Sequence, residues 1–101
     1  MNIVNEIGLP ATLEQCAEEC SELAQACLKL ARKLRNENPT PKTIDEIIDT
    51  LAEEISDVEV CIDEILHTEV VHEDMISNVK KSKMDRWCKR IENKRKGVKI
   101  T

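Results

Sequence analysis

The chain has 101 residues and a formal net charge of −5, with 35% of its residues charged and 1% aromatic. This length excludes more than one ordinary domain and gives a monomer a small core, which has to be built without Phe or Tyr. No stretch approaches the roughly 20 apolar residues of a membrane span, and no positively charged start precedes an apolar run, so we expect a cytoplasmic protein.

The first helical pattern follows a lead-in of residues 1–11. Thr12 and Gln15 have the spacing of a capping box, so we predict that helix one covers residues 12–36. Two prolines follow, and proline cannot continue a helix because it lacks the amide hydrogen and restricts the residue before it. Residues 37–42, which contain Asn-Pro-Thr-Pro, are therefore predicted to form a loop.

A second capping box, at residues 43–46, opens helix two, which we predict over residues 43–67. Its apolar side chains recur at helical spacing, and they are Ile44, Ile48, Leu51, Ile55, Val58, Ile62 and Leu66. Helix three is predicted over residues 73–96, and a tail follows over residues 97–101. The pattern predicts an all-α protein, a single-domain bundle of three long helices plus short segments, completed by oligomerisation because the core is small.

The five cysteines form an odd set, and Cys16, Cys20 and Cys27 recur at helical spacing among apolar residues. This pattern is typical of small core side chains that stay reduced. No pair of cysteines is separated by two residues, as in most zinc sites, and His67 and His72 lie on a separate segment. The sequence therefore does not favour zinc.

Each of the first two predicted helices carries two acids three residues apart, Glu19 with Glu22 and Glu54 with Asp57. Such residues share a helix face, and at about 100° per residue both pairs stand at the same offset from the apolar stripe of their helix. Packing of the stripes would bring all four carboxylates to one seam. They stay ionised together there only with a counter-charge, and Mg²⁺ is a hard cation that also bridges carboxylates to phosphates.

The alternative interpretation is an acidic helix face that is simply solvated. Glu is a common surface residue in helices, so one such pair indicates little. Two pairs in register beside apolar positions favour a metal site more strongly than one pair does. Spacing and composition alone leave both interpretations open.

The sequence around these acids resembles the EExxE and ExxD signature of MazG-type all-α nucleoside triphosphate pyrophosphohydrolases. The two motifs are Glu-Glu-Cys-Ser-Glu at residues 18–22 and Glu-Ile-Ser-Asp at residues 54–57. The interval between them is at the long end for the family, and the predicted loop absorbs it. The resemblance covers most of the chain and extends to residues 22–26, 38–41, 51–61 and 83–87.

The resemblance implies hydrolysis of a nucleoside triphosphate, a dNTP or a non-canonical NTP, to the monophosphate and pyrophosphate. It implies Mg²⁺, for which Mn²⁺ can substitute, and a homo-oligomer, a dimer or a tetramer, with sites in or beside the subunit contact. Glu18 matches the leading acid of the motif, and we expect it to support the site or to orient the attacking water. The metal ligands that the resemblance implies are Glu19, Glu22, Glu54 and Asp57.

The C-terminal part of the chain has the opposite charge. Residues 76–101 contain 10 basic and 2 acidic side chains, whereas residues 1–75 contain 5 basic and 18 acidic ones. Lys83 and Arg86 share a helix face in a segment that resembles the family, and Lys80 extends this face, so we interpret them as phosphate contacts. A solvated basic face is the alternative.

Two further residues have more than one interpretation. Trp87, the single aromatic residue, either stacks on a base or anchors a core or an interface, and we favour the anchor. Lys29 follows the first acid pair and either contacts phosphate or pairs with a neighbour four residues away.

Two other classes of function stay open. A non-enzymatic helical interaction module would use the apolar stripes for assembly and would not respond to metal. A nucleic-acid binder would act through the basic C-terminal helix, although the acidic net charge and the missing aromatic platform argue against it.

Overall fold

The computed structural model describes residues 1–37 and 41–97, and the regular structure in these residues is entirely helical. The predicted all-α class is thus confirmed for the described part of the chain. The chain divides into two units, Met1–Glu69 and Val70–Thr101. Its described helices, in chain order, are α1 (Ile3–Ile7), α2 (Leu9–Leu34), α3 (Ile44–His67) and α4 (Glu73–Arg95).

The predicted lead-in contains a short helix, α1, that the hydrophobic pattern does not reveal. α1 contacts both α2 and α3, and its Val4 side chain is buried. The Ile3 amide donates a hydrogen bond to Glu64 Oε1 in α3 at 2.7 Å, and Asn2 Nδ2 donates to His67 Nε2 at the same distance. An amide at a helix start has no partner within its own helix, so Glu64 supplies one.

Helix one begins earlier than predicted, at Leu9 rather than at residue 12. Gly8 is the N-cap residue with φ 90° and ψ 159°, a conformation that essentially only glycine adopts, and it lets the chain turn from α1 straight into α2. Pro10 fits the first turn, where a missing amide hydrogen is tolerated. The Thr12 hydroxyl donates to the Gly8 carbonyl at 2.8 Å, so the capping box predicted at residues 12–15 does not form.

α2 ends at Leu34, before the predicted end at residue 36. Asn36 adopts a left-handed φ of 59°, and its amide donates to the Lys33 carbonyl at 3.2 Å. The Glu37 amide donates to the Arg32 carbonyl at 2.8 Å. These are the two hydrogen bonds of a Schellman motif, which stops the helix before the prolines are reached.

The predicted loop over residues 37–42 falls partly outside the described residues, because 38–40 are not among them. α3 begins directly after Thr43, whose hydroxyl accepts a hydrogen bond from the Glu46 amide at 3.2 Å. Glu46 Oε1 in turn accepts from the Thr43 amide at 3.5 Å. The second predicted capping box is therefore confirmed, and α3 continues to His67.

α4 ends one residue before the predicted end of helix three, and Gly97 follows with a left-handed φ of 74°. Residues 98–101 of the predicted tail lie outside the described residues. None of the α4 side chains is buried. Its exposed large apolar side chains are Met75, Val79, Met84, Trp87 and Ile91.

The core of the described residues is small. α2 packs along α3, and the buried apolar side chains are Val4, Ala26, Ile47 and Val58. No large side chain in this part of the chain is completely enclosed. No described helix combines the length and the apolar composition needed to cross a membrane.

The cysteines do not form the core that their spacing predicts. All five are free thiols, which agrees with the prediction of reduced cysteines. Cys20, Cys27 and Cys88 are exposed, and Cys16 and Cys61 are half-buried. The physical reason is that the two packed helices cover only a narrow strip of each other, which is too narrow to enclose every apolar position.

Candidate metal centre

Three carboxylates from α2 and α3 meet in the first unit. One carboxylate oxygen from each of Glu19, Glu22 and Glu54 lies within 4.8 Å of the other two. Glu19 and Glu22 share a face of α2 because they are three residues apart. Within residues 1–37 and 41–97, no other group of three His, Cys, Asp or Glu side chains is this close. The structure thus brings together three of the four ligands predicted from the sequence.

Two oxygens of this cluster are buried without a partner. Oε2 of Glu19 and Oε2 of Glu54 are almost fully removed from solvent, and neither accepts a hydrogen bond from any residue in 1–37 or 41–97. A buried carboxylate oxygen loses its hydration, so leaving it without a hydrogen bond is unfavourable. Both atoms are therefore suited to contact a cation.

The Glu19 carboxyl group has a raised pKa. The hydrogen bond that Gln15 Nε2 donates to Glu19 Oε1 at 2.9 Å lowers this pKa, and it is the largest single influence. Partial burial, the charges of Glu22 and Asp57, and a hydrogen bond with Glu22 all raise the pKa and together outweigh the Gln15 bond. The surroundings of Glu19 thus disfavour its negative charge, and a divalent cation nearby would relieve the repulsion.

Asp57, the fourth predicted ligand, lies beside the cluster rather than inside it, one helical turn along α3 from Glu54. Its charge acts on Glu19, and both residues line a cavity of about 230 Å³ formed by α1, α2 and α3. The cavity is also lined by Ile3, Ile7, Thr12, Gln15, Val60, Cys61 and Glu64. Two of the carboxylates therefore face a partly apolar space.

Two other predicted residues of α2 are not in the cluster. Glu18 is exposed, because adjacent residues of a helix point about 100° apart and Glu19 is the one that faces α3. Lys29 is exposed and lines a different cavity of about 20 Å³ with Ala26 and Ile47. The functional roles of Glu18 and Lys29 stay predictions.

The remaining predicted residues belong to the second unit. Lys80, Lys83 and Trp87 line a groove of about 500 Å³, and its other lining residues are apolar. Arg86 is exposed and does not line this groove. Trp87 is 64% exposed, so it is not the core anchor that was one interpretation of the sequence, because α4 buries none of its side chains. The predicted phosphate contacts stay predictions.

The cavity lining also includes Gln15, Cys61 and Glu64, which the sequence did not predict as site residues. The signal for Gln15 was its position four residues before Glu19, which places both on one helix face. Burial raises the pKa of the Cys61 thiol, and the charges of Glu19 and Asp57 raise it further. Glu64 has no local signal, because its partner Ile3 is 61 residues away.

The donor set of the cluster fits a hard divalent cation. All three groups offer carboxylate oxygen, and no thiol or imidazole is part of the group. Mg²⁺ takes oxygen ligands and keeps several waters, so it suits a site with few protein ligands, and Mn²⁺ accepts the same donors.

No family model matches this chain, and neither a curated protein nor a solved structure matches it. The resemblance to MazG-type enzymes therefore stays an expectation from the motifs. What the structure adds to the motifs is the grouping of three carboxylates among the described residues.

Proposed function

We propose that this protein hydrolyses a nucleoside triphosphate, a dNTP or a non-canonical NTP, to the monophosphate and pyrophosphate with the help of Mg²⁺. The observation that carries the proposal is the cluster of Glu19, Glu22 and Glu54, in which two carboxylate oxygens are buried without a partner. Carboxylates of this kind are what metal-assisted phosphate chemistry needs. The motifs that resemble the MazG type supply the reaction class.

The four predicted ligands have distinct positions in the proposed site. Glu19, Glu22 and Glu54 would hold the cation, and Asp57 would complete the ligand set from the wall of the cavity. When bound, Mg²⁺ supplies neutralisation of the phosphate charge and polarisation of the phosphorus atom.

Side chains of the protein would orient the attacking water and accept its proton. Water oxygen attacks at the α–β anhydride, the bond between the monophosphate and pyrophosphate parts breaks, and the water proton passes to a carboxylate. Glu18, next to Glu19 and exposed, is our candidate for orienting this water.

We assign the cavity of about 230 Å³ to the nucleoside part of the substrate. Ile3, Ile7 and Val60 give it an apolar wall, which suits the face of a base. Because Glu19 and Asp57 also line it, a nucleoside placed there would hold its phosphates close to the carboxylates.

The basic residues of α4 are our candidates for phosphate contacts. Lys80 and Lys83 lie on the groove of α4, and Arg86 is exposed on the same helix. A guanidinium group binds phosphate oxygens in a bidentate way, so Arg86 is the strongest of these candidates. Trp87 would contact the base or a neighbouring subunit, and Lys29 is a weaker phosphate candidate.

A homo-oligomer, a dimer or a tetramer, is part of the proposal. Few apolar side chains are buried, whereas Leu28, Val60, Val79 and Met84 each expose more than half of their surface. Burial of such side chains against a second copy would supply stability that the small core of one chain lacks.

The second candidate is a non-enzymatic interaction module. The observation that favours it is the exposed, mostly apolar groove of α4. This function needs neither metal nor nucleotide, so the same assay distinguishes it from the enzyme.

The test is pyrophosphate release from a panel of canonical and modified dNTPs and NTPs, with Mg²⁺ and with a chelator. We expect Mg²⁺-dependent release that Glu22→Gln and Asp57→Asn each reduce by at least about 100-fold, because even groups that only orient a metal ligand contribute roughly 10–100-fold. Glu14→Gln, at an exposed position of α2, is the matched control and should keep full activity. Absence of release from every nucleotide would favour the interaction module instead.

A further inference from the structure

We propose that Gln15 is a positioning residue, which orients the Glu19 carboxylate so that one oxygen is kept for the cation. This inference rests on the proposed metal centre and adds to it a residue that neither the motifs nor the acid pattern includes. Gln15 itself does not contact the cation.

The two oxygens of Glu19 are in different states. Oε1 accepts the hydrogen bond from Gln15 Nε2 at 2.9 Å, whereas Oε2 is buried and has no hydrogen-bond partner in the part of the chain that the structure describes. Gln15 and Glu19 are four residues apart on α2, so the rigid helix sets the distance between them. The carboxylate is therefore held from one side, and its other oxygen is left for a cation.

A tether is needed at this position because the neighbours of Glu19 repel it. Glu22 and Asp57 both place negative charge on the Glu19 carboxylate. A glutamate side chain has several rotatable bonds, so without an attachment it would turn toward solvent and lose its place in the cluster. The Gln15 amide is the uncharged donor that holds the Glu19 side chain, because the other side-chain hydrogen bond of this carboxyl group is with Glu22, itself an acid.

The chemistry of an amide suits this role better than that of a basic residue. Lys or Arg at the same position would neutralise Glu19 and compete with the cation for its charge. The amide orients the carboxylate and leaves its charge in place, as the groups that surround metal ligands do in other proteins.

The experiment measures Mn²⁺ affinity by electron paramagnetic resonance of the free ion, together with the thermal unfolding midpoint of each variant. Gln15→Met removes the amide at similar length, and Gln15→Asn keeps an amide that is one methylene too short. Gln25→Met and Gln25→Asn are the matched controls, because Gln25 is exposed on the same helix. We expect both Gln15 variants to bind Mn²⁺ about 10-fold more weakly than the native chain, whereas both Gln25 variants bind normally.

The unfolding midpoints separate positioning from simple helix stabilisation. Equal midpoints for the Gln15 and Gln25 variants, with weaker Mn²⁺ binding only for Gln15, support positioning. Native Mn²⁺ affinity in both Gln15 variants would overturn the inference and leave the metal centre standing. A native chain without saturable Mn²⁺ binding would overturn the metal centre and the inference together.

Discussion

The pKa of the Glu19 carboxyl group is subject to opposing influences within the site. Its carboxylate accepts a hydrogen bond that favours the ionised form, but partial burial and two acidic neighbours favour the protonated form, and they prevail. Without a cation, ionising Glu19 therefore works against folding. A bound divalent cation should reverse this balance, since it stabilises the ionised carboxylate.

The raised pKa of Glu19 predicts how the stability of the metal-free protein depends on pH. Its ordinary value is 4.5, and the folded chain holds the proton at higher pH than the unfolded chain does. The contribution of Glu19 to stability is thus fully present below pH 4.5 and is lost as pH rises through the raised pKa. We expect thermal unfolding in a chelator to show this loss in the native chain but not in Glu19→Gln.

The quantity to compare is the difference in unfolding midpoint between the native chain and Glu19→Gln at each pH. Carboxyl groups that do not interact with Glu19 contribute equally to both curves and cancel in the difference, whereas the repulsion by Glu22 and Asp57 is part of the difference that is measured. Parallel curves for the native chain and Glu19→Gln would contradict the raised pKa. The same scan with Mg²⁺ should remove or invert the difference.

At the residue scale, the acid pattern predicts the cluster better than it predicts the surroundings. Glu19, Glu22 and Glu54 are found by helical spacing, because packing of two amphipathic helices leaves few possible facing positions. Asp57 has the same spacing from Glu54 as Glu22 has from Glu19, yet it lies outside the group, so spacing along a helix alone does not decide which carboxylates meet. Gln15 is missed although it lies four residues before Glu19, because many residue pairs in a helix have this spacing and few of them mark a site.

At the element scale, the link between α1 and α2 depends on Gly8. Its φ of 90° and ψ of 159° lie in a region essentially restricted to glycine, while an added Cβ would be an ordinary 3.9 Å from Pro10 Cδ. A side chain at position 8 would thus be unfavourable because of the backbone conformation, and not because its Cβ would clash with a neighbouring atom. Because α1 forms one wall of the cavity, this turn also helps to shape the candidate site.

Gly8→Ala is therefore expected to lower the free energy of unfolding by roughly 1–3 kcal/mol. Gly97→Ala is the control, because Gly97 has a left-handed φ of 74° with no atom near an added Cβ. Non-glycine residues adopt the left-handed region elsewhere in the chain, as Asn36 does at φ 59°. The loss of unfolding free energy caused by Gly97→Ala should therefore be smaller than that caused by Gly8→Ala. Urea unfolding measures both, and equal losses would contradict the assigned role of Gly8.

A capping box in the sequence predicts the start of a helix correctly only where the residues before it do not already form part of that helix. Thr43 forms the expected capping box, and Pro41 and Lys42 directly before it are not helical. Thr12 has a similar local signal, yet Gly8 and Pro10 allow α2 to begin one turn sooner. The sequence does not predict α1, because its five residues are too few to show a helical spacing of apolar side chains. Its stability depends on contacts with α2 and α3.

At the scale of the whole molecule, charge and burial are unevenly divided. Met1–Glu69 contains 5 basic and 16 acidic residues, whereas Val70–Thr101 contains 10 basic and 4 acidic ones. All the buried side chains among the described residues belong to the first unit, and α4 exposes its apolar side chains. If the proposed oligomer forms, the basic segment of one copy and the acidic segment of another have charges that attract each other.

Isothermal calorimetry with Mg²⁺ tests whether the buried oxygens of the acid cluster bind a divalent cation. The proteins to compare are the native chain, Glu54→Gln, and Glu53→Gln, which changes the exposed neighbour on the same helix. We predict saturable Mg²⁺ binding by the native chain and Glu53→Gln, with binding by Glu54→Gln weaker by at least about 10-fold. The absence of saturable binding by the native chain, or equal affinity in all three proteins, would contradict the claim.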